Sequence, residues 1–343
     1  MKHLSQVRAF ALTLMADTGD QFSDFTPYVV SLNNEGRTAF QATLRSGGTG
    51  IFTGNGGPIT TIADTTSGLC RDFASHPDIN GQGAVSFYAD LKPGGGGSGV
   101  FQISDGQMTT IADTTGPFNS IGPLGPTMND SGVVAFRADL KAGGDGIFIG
   151  SGSGPLITIA DTSGPFSGFQ GLPVVNNSGT VVFRADLKEG GRGIYQSNGE
   201  SLATLVDTRD LFSDIGLFPS ANDKGSVVFS ATLQAGGAGI FTVTEGQVTT
   251  VVNTNSRFES FRGALINNTG TIVFFATPRG GELGIYSGPN PIGDKIISMG
   301  DPLFGSTVAD FALNPVSLND VGQVALRVRL ANDRQVIIRA DPA

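Results

Sequence analysis

Seven copies of one short motif, Asn-x-x-Gly, follow one another at almost constant intervals along this 343-residue chain. The steps between successive copies are 47, 49, 47, 46, 45 and 52 residues. Asn and Gly both accept the positive φ that tight hairpin turns require. A period of this length predicts a chain built from copies of one supersecondary unit, each packed on its neighbours. The copies begin at Asn33, Asn80, Asn129, Asn176, Asn222, Asn267 and Asn319.

Each unit is predicted to contain four short antiparallel strands. In the unit around Asn176, the strands are predicted at residues 173–175, 180–187, 194–196 and 201–206. Within the second strand, alternate residues are apolar and share one face, as in a half-buried strand. A Gly-Gly-x-Gly-Ile-Phe type of sequence follows the second strand of most units, and an Ala-Asp-Thr type of sequence ends the fourth. The acidic position of the latter is filled by Asp17, Asp64, Asp113, Asp161, Asp207, Asn253 and Asp301.

The phase of the repeat distinguishes an open solenoid from a closed ring. The chain opens with a fourth strand, Leu12 to Asp17, whereas its last unit supplies only the first three strands. Pairing the two completes a blade and removes exposed sheet edges. We therefore predict an all-β, seven-bladed β-propeller of four-stranded antiparallel blades, a single domain over residues 1–343. Residues 1–18 would form the outer strand of the closing blade, and residues 315–343 its inner three strands.

The N-terminal segment superficially resembles a secretory signal peptide, with positive charge, an apolar run and small residues before Asp17. Arg8 interrupts the apolar run and leaves about seven residues, the lower limit for such a signal. The end of the run also matches the Ala-Asp-Thr motif that recurs downstream. Residues 1–16 are therefore interpreted as mature protein, with no signal peptide evident.

Composition excludes several classes of function. The net charge is −9 without a basic patch, so nucleic acid and anionic membrane surfaces are not expected partners. No apolar stretch approaches 18 residues, so membrane insertion is not expected either. Cys70 is the only cysteine and there are only two histidines, so neither an intramolecular disulfide nor a histidine metal triad is predicted. We predict no metal and no cofactor, and we expect a monomer.

Residues repeated in every unit are interpreted as scaffold, because they serve all blades rather than one site. The Asp of Ala-Asp-Thr is expected to cap a turn by accepting backbone N–H groups. Asn253 fills one of these positions, which favours hydrogen bonding over charge. Apolar pairs about three residues apart, such as Phe22 and Phe25, are expected to anchor each crossover in the seam between blades. The alternative is an aromatic platform for sugars.

Candidate binding residues are those at which one loop departs from its siblings. The turn after the second strand and the crossover after the fourth emerge on the same side of a propeller, here called the crossover face. Residues 69–76 read LCRDFASH where other units have a pattern near PFxxIG, and later crossovers carry further charges. Functional groups often lie on such loops around the central channel. The candidate ligand-binding residues are Arg71, Asp72, His76, Arg209, Asp210, Arg257, Glu259 and Arg262.

The repeat unit N-[ND]-x-G-x-V-x-F-x-A-x-L-x-x-G-G-x-G-I-[FY] resembles one found in uncharacterised exported proteins of cyanobacteria and other environmental bacteria. The shared core, Asn-x-x-Gly-x-x-Ala-Phe, is written NNEGRTAF from Asn33 and NDSGVVAF from Asn129. Some of those proteins end in a sorting tail, whereas this sequence ends at Asp341-Pro342-Ala343. The resemblance covers essentially the whole chain. It implies an extracellular or cell-surface location and no particular biochemical role.

Three functions follow from these observations. We expect a non-enzymatic ligand-binding or scaffold propeller that engages a polysaccharide or another protein through the crossover face. The reasons are rigid closure, near-identical blades and few catalytic side chains, and no catalytic residue is predicted. The first alternative is a hydrolase or lyase acting on polysaccharide through carboxylates such as Asp72 and Glu259. The second is a self-assembling structural repeat protein.

Overall fold

Seven antiparallel sheets follow one another around a central channel and confirm the predicted seven-bladed β-propeller. The computed structural model describes residues 10–25, 30–95, 97–122 and 124–343. Blades 1 to 6 follow in chain order, and blade 7 combines the two ends of the chain. None of the residues described forms a helix long and apolar enough to cross a membrane.

The three outer strands of each blade occupy corresponding positions, and the third and outermost strands are shortest in blade 6. The second strands are Thr38–Leu44, Val85–Leu91, Val134–Leu140, Val181–Leu187, Val227–Leu233, Ile272–Pro278 and Val324–Leu330. The third strands are Thr49–Gly54, Ser98–Ser104, Asp145–Gly150, Arg192–Ser197, Ala238–Thr244, Gly284–Tyr286 and Gln335–Pro342. The outermost strands, from blade 1 to blade 7, are Thr60–Asp64, Gln107–Asp113, Ile157–Asp161, Leu202–Asp207, Gln247–Asn253, Lys295–Ser298 and Phe10–Asp17.

The innermost strands line the channel and are interrupted in most blades. Blades 4, 6 and 7 have the single strands Phe166–Val175, Phe258–Ile266 and Ser306–Ala312, the last preceded by the short strand Pro302–Leu303. In blades 1, 2, 3 and 5 the inner strand has two pieces: Phe22–Phe25 with Ser31–Leu32, Cys70–Phe73 with Asp78–Ile79, Phe118–Ile121 with Thr127–Met128, and Phe212–Ile215 with Ser220–Ala221.

The first and last strands of the chain pair, which closes the ring as the sequence predicted. Phe10–Asp17 runs antiparallel to Gln335–Pro342, with Leu12 opposite Ala340. Thr13 Oγ1 donates to Asp341 Oδ2 at 2.7 Å, and Arg334 Nε donates to Asp17 Oδ1 at 2.9 Å. Of the predicted closing segment 1–18, residues 1–9 lie outside the described part of the chain.

The inner strands begin earlier than the sequence analysis placed them. The apolar pairs assigned to crossover turns are themselves strand residues: Phe22 lies opposite Leu44 and Phe25 opposite Ala42. A β-bulge between Phe22 and Asp24 adds one residue, so two residues three apart both point into the core. Simple alternation would place them on opposite faces. The pattern therefore looked like a turn although it is a bulged strand.

The same correction applies to blade 7. Its inner strand was predicted at the start of residues 315–343, but it is Ser306–Ala312. At 315–318 the structure has only a single bridge, between Leu318 and Val324. Val308 and Phe311 hold the places of the phenylalanine pair, with a bulge between Val308 and Asp310. Because an aliphatic residue, Val308, replaces the first aromatic residue of the pair, the repeat pattern does not predict this strand.

The hydrophobic core consists of seven clusters, each shared by two neighbouring blades. Between blades 3 and 4, Ala135 and Ile147 pack against Phe166, Phe183 and Tyr195. The ring of Phe166 meets those of Phe183 and Tyr195 edge-on, at centroid distances of 5.7 and 4.8 Å. Aromatic pairs in this geometry add to the stability gained from burial alone. Because each blade buries both faces only against neighbours, the core depends on an unbroken ring.

The repeated asparagines form a closed ring of hydrogen bonds around one end of the channel. Each side-chain Nδ2 donates to the backbone oxygen of the corresponding asparagine in the next blade, at 2.8–3.5 Å. Asn319 Nδ2 completes the circle by donating to the oxygen of Asn33. Meanwhile Oδ1 accepts N–H groups of its own turn; Asn222 Oδ1, for example, accepts from Lys224 N and Ser226 N. One residue type thus shapes each hairpin and links it to the next.

Polar side chains on the inner strands add a second set of links between blades. Thr127 Oγ1 accepts from Val175 N at 3.2 Å, and Ser220 Oγ accepts from Ile266 N at 3.2 Å. In blade 2 the same position is Asp78, whose Oδ2 accepts from Met128 N at 2.7 Å. Burial raises the pKa of Asp78 to about 7, although two backbone hydrogen bonds oppose the shift.

Removal of residues 1–18 deletes the outer strand of blade 7 and leaves the edge of Gln335–Pro342 unpaired. We expect the truncated chain to lose cooperative unfolding or to form oligomers, because an open ring exposes two blade faces and a sheet edge. Thermal unfolding followed by circular dichroism, together with mass from light scattering, tests this. A chain lacking only residues 1–9 keeps the whole described strand and is the control. A monomer of unchanged melting temperature after the longer deletion would contradict ring closure by this strand.

Asn222→Asp replaces the donor of one link in the asparagine ring with an oxygen that faces the carbonyl of Asn267. We expect the free energy of unfolding to fall by about 2 kcal/mol, the cost of leaving buried polar groups unpaired. Urea unfolding at neutral pH measures this change. Asn198→Asp is the matched control, because Asn198 Oδ1 also accepts backbone N–H groups but Asn198 is exposed. Equal stability losses in both variants would show that the link between blades contributes little.

The raised pKa of Asp78 predicts a specific pH dependence of the protein's stability. The folded pKa, about 7, lies above the ordinary 3.8, so the stability contribution of Asp78 is complete below about pH 4 and is lost as the pH rises to about 7. Asp78→Ser keeps an oxygen for Met128 N, as Ser220 does for Ile266 N, and removes the buried charge. The difference in melting temperature between the variant and the original protein should therefore grow from pH 4 to 7 in favour of the variant. Parallel curves across this range would contradict the raised pKa.

Candidate ligand site in the central channel

The repeated charged residues of the crossover face are used to hold the crossovers in place. Lys141, after the second strand of blade 3, donates to the backbone oxygens of Thr114 and Gly116, both at 2.9 Å. Lys92 Nζ makes the corresponding bond to Gly68 O at 3.0 Å. The repeated Asp caps the same turns, as the sequence predicts. Further hydrogen bonds from basic side chains to the carbonyls of the crossovers recur around the ring. These charges serve the scaffold and do not by themselves mark a site.

Two of the candidate residues from the sequence lie in the first inner-strand segment of blade 2. Arg71 forms an exposed ion pair with Asp90, with 2.8 Å between Nη2 and Oδ2. Asp72 Oδ1 accepts from Thr49 Oγ1 of blade 1 at 3.3 Å. Both contacts are with neighbouring strands, and such exposed pairs contribute little to stability.

Four further candidates lie near the start of blades 5 and 6. Arg209 is held by Asp207, with Nη2 and Oδ2 2.5 Å apart, and Asp210 beside it is exposed. Arg257 and Glu259 are exposed at the start of blade 6. The six residues of blades 2, 5 and 6 therefore lie on three separate crossovers. The two remaining candidates, His76 and Arg262, line the same cavity.

His76 and Arg262 line a cavity of about 400 Å³ at the crossover end of the central channel. Its walls come from the inner strands of several blades, where positions four or five residues before each repeated asparagine face inward. The wall side chains are mostly hydrocarbon: Leu124, Leu172, Phe218, Phe275, Phe311 and Leu313. A concave, mostly apolar pocket with a few polar groups is the usual form of a small-ligand site.

His76 is 3% exposed, and its two ring nitrogens have different surroundings. Nδ1 lies 3.4 Å from Ser75 Oγ, and the backbone of Gly125 packs against the same side of the ring. Nε2 is buried and has no hydrogen-bond partner among the residues described. Burial lowers the pKa of His76 to about 4, so the imidazole is neutral at pH 7. An unpaired buried nitrogen of this kind costs free energy unless a partner satisfies it.

Asn314 adds a second unpaired group to the same cavity. Its Oδ1 accepts from Val316 N at 3.0 Å and from Ser317 Oγ at 3.1 Å, which fixes the orientation of the amide. Its Nδ2 is buried without a partner in the described part of the chain. Arg262 is exposed at the edge of the cavity, and its backbone oxygen accepts from Ser230 Oγ. The polar lining thus combines two buried amide or imidazole nitrogens with one guanidinium.

The opposite end of the channel has a different chemistry. A smaller cavity of about 160 Å³ is lined there by the asparagine ring and by the residues that follow each asparagine. Asn177 Nδ2 donates to Asp130 and Asp223, both at 3.0 Å, and Asn268 continues the alternation. Over residues 10–25, 30–95, 97–122 and 124–343 no cluster of His, Cys, Asp and Glu is placed to hold a metal. These carboxylates are occupied in linking blades.

Cys70 is not available as a nucleophile. It stands where other blades have the first phenylalanine of the inner-strand pair, and it is buried in the seam between blades 1 and 2. Burial raises the pKa of its thiol, so the thiolate is disfavoured at neutral pH. The residue therefore belongs to the core.

The residues predicted from the sequence include His76 and Arg262, which line this cavity, but neither Asn314 nor the apolar walls. The sequence does contain a signal for the channel lining, because residues four positions before each repeated asparagine can be compared between blades. This position is filled by His76, Gly125, Leu172, Phe218, Gly263 and Pro315, while the copy before Asn33 falls on residue 29, outside the described residues. His76 is the one side chain with hydrogen-bonding atoms in this described set.

Solved structures share the fold at low sequence identity. A puromycin-hydrolysing peptidase from Mycobacterium tuberculosis superposes with a TM-score of 0.60 and 12% identity over 98% of this chain. This chain spans 55% of the length of that peptidase. The polysaccharide lyase Uly1 superposes with a TM-score of 0.56 and 9% identity, over 93% of this chain and 91% of the lyase. At these identities the likeness shows the fold alone.

Among curated proteins, none matches this sequence. Residues 32–336 match a family of unknown function, DUF7453, from within the first Asn-x-x-Gly hairpin to the third strand of blade 7. That match covers nearly all of the repeated part of the chain. The protein therefore belongs to the DUF7453 family.

Proposed function

We propose that this protein is a non-enzymatic ligand-binding propeller whose ligand enters the central channel from the crossover face. The observation that carries the proposal is the apolar cavity of about 400 Å³, whose lining includes His76 and Asn314, each with a buried nitrogen that has no partner among the residues described. The asparagine ring and the core clusters shared by neighbouring blades hold this cavity within a closed ring. The extracellular or cell-surface location and the monomeric state implied by the sequence remain predictions.

The chemistry of the walls favours a ligand with an apolar part. Hydrocarbon surface removed from water contributes roughly 25 cal/mol for each Å². A sugar hydroxyl buried against Leu172 or Phe311 would instead lose hydrogen bonds to water without replacement. Of the two partner classes expected from the sequence, a protein or peptide with an apolar segment is therefore better supported than a polysaccharide.

The enzymatic alternative requires groups that this cavity does not supply. Among the described residues that line it there is no carboxylate, and His76 is neutral and deeply buried. Asp72 and Glu259, the acid–base pair considered from sequence, lie on separate blades outside the lining. Depolymerisation of a polysaccharide panel that disappears in Asp72→Asn or Glu259→Gln would favour the hydrolase or lyase alternative over the binding function.

Phe218→Asp tests the site directly. Phe218 lines the cavity and is 41% exposed, so the substitution introduces a charge at the cavity without removing a fully buried side chain. Arrays of oligosaccharides and of peptides with apolar residues serve as probes for the original protein. We expect peptides to be retained, and their affinity to fall at least tenfold in Phe218→Asp because an apolar contact becomes a desolvated charge.

Leu202→Asp is the matched control. Leu202 is 47% exposed on the outer strand of blade 4, away from the channel. The same change of charge there should leave peptide binding intact. Loss of binding in both variants, or binding of oligosaccharides alone, would refute the proposed ligand class. Concentration-dependent growth of the particle mass in light scattering, without binding to any probe, would favour the self-assembling alternative.

A further inference from the structure

The polar side-chain groups that face the channel cavity can all donate hydrogen bonds. The orientation of Asn314 is set by its Oδ1, which accepts the N–H of Val316, a bond that an amide nitrogen cannot make. Nδ2 is therefore the atom left unpaired. It offers N–H donors to whatever occupies the cavity.

The other two groups have the same character. A neutral imidazole carries one N–H, and the hydroxyl of Ser75, 3.4 Å from Nδ1, can donate to that nitrogen when the proton is on Nε2. In that tautomer the buried Nε2–H is a donor without a partner among the residues described. Arg262 carries only donors and a permanent positive charge. Among the described residues that line this cavity there is no Asp or Glu, although Arg262 also lines a neighbouring pocket with Asp214.

We propose that the cavity binds the carboxylate of an apolar acid, an inference that rests on the proposed binding function of this site. An ionised carboxylate only accepts hydrogen bonds, so its chemistry matches the donors of His76, Asn314 and Arg262 that line this cavity. The hydrocarbon part of the ligand packs against Leu172, Phe311 and the other wall residues.

Two sources can supply this chemistry: a free apolar acid, or the C-terminal carboxylate of a polypeptide ending in apolar residues. Both place one negative charge beside a hydrocarbon body. Inorganic anions lack the hydrocarbon and would gain nothing from the walls. Phosphate is therefore a suitable negative probe.

Isothermal titration calorimetry with paired probes tests the inference. The first pair is octanoate and octanamide, and the second is acetyl-Gly-Leu-Leu with a free carboxylate and with a C-terminal amide. We expect the acid of at least one pair to bind at least tenfold more tightly than its amide, because charged hydrogen bonds are the stronger ones. Binding of octanoate identifies a free-acid site, whereas binding of the peptide acid alone identifies a polypeptide C-terminus.

Variants of the donors locate the binding. Arg262→Gln changes an exposed residue, and Asn314→Asp keeps the oxygen that accepts Val316 N while it replaces the donor with a repelling oxygen. Each should weaken binding of the acid at least tenfold and leave binding of the amide within about twofold. Arg329→Gln is the control, since Arg329 is an exposed arginine near the end of the second strand of blade 7, paired with Asp333. It should bind both probes as the original protein does.

The outcomes separate this inference from the proposed function. Equal affinity for acids and amides, lost in Phe218→Asp, would overturn the carboxylate inference and sustain the apolar channel site. Acid binding that is unchanged in Arg262→Gln and Asn314→Asp would also overturn it. Absence of binding by all four probes would overturn it as well. The proposed function would fail separately, if the peptide arrays also gave no ligand sensitive to Phe218→Asp.

Discussion

Closure of the ring is the constraint on which the rest of this structure depends. A four-stranded blade buries both faces only against its neighbours, so each of the seven core clusters belongs to two blades. The hydrogen bonds of the asparagine ring show the same dependence, because six links join turns 45 to 52 residues apart and the closing link joins turns 286 residues apart. Asn319 can bond to Asn33 only when the circle is complete. The pairing of Phe10–Asp17 with Gln335–Pro342 therefore secures contacts far beyond its own two strands.

Most residues that recur in every unit stabilise the scaffold and do not form a binding site. Lys141 holds crossover carbonyls, Asp113 caps its turn through the N–H of Thr115, and Phe166 fills a seam. Repetition in this family of chains therefore indicates structure, and a departure from repetition is where a binding role can be sought. Departure alone is not sufficient: Arg71 and Arg209 are exceptional in sequence, yet each is paired with a nearby aspartate. His76 differs because its environment leaves one nitrogen unpaired.

The sequence predicted the fold well because periodicity, turn chemistry and phase are local or additive signals. Seven Asn-x-x-Gly turns fixed the number of blades, and the early copy at Asp17 fixed the closing strand. The bulge between Phe22 and Asp24 was not predictable from alternation, since one extra residue reverses which face a side chain occupies. The channel cavity was harder still, because its walls and Asn314 come from several blades that only the ring brings together. Here the decisive contacts are between residues in different blades.

The contrast between His76 and Asp78 explains why one of them is the better candidate for recognition. They lie two residues apart in blade 2, His76 between the two pieces of the inner strand and Asp78 at the start of the second piece, and they line opposite ends of the channel. Asp78 has both oxygens occupied by backbone N–H groups, so its polarity is absorbed by the scaffold. His76 Nε2 has no such partner and carries a cost of about 1–3 kcal/mol that Leu172, four residues before its own asparagine, does not. The burial of hydrophobic side chains in the seven core clusters between blades can offset that cost in the free protein. A ligand acceptor in the cavity would recover it, which makes the unpaired nitrogen a source of affinity and selectivity.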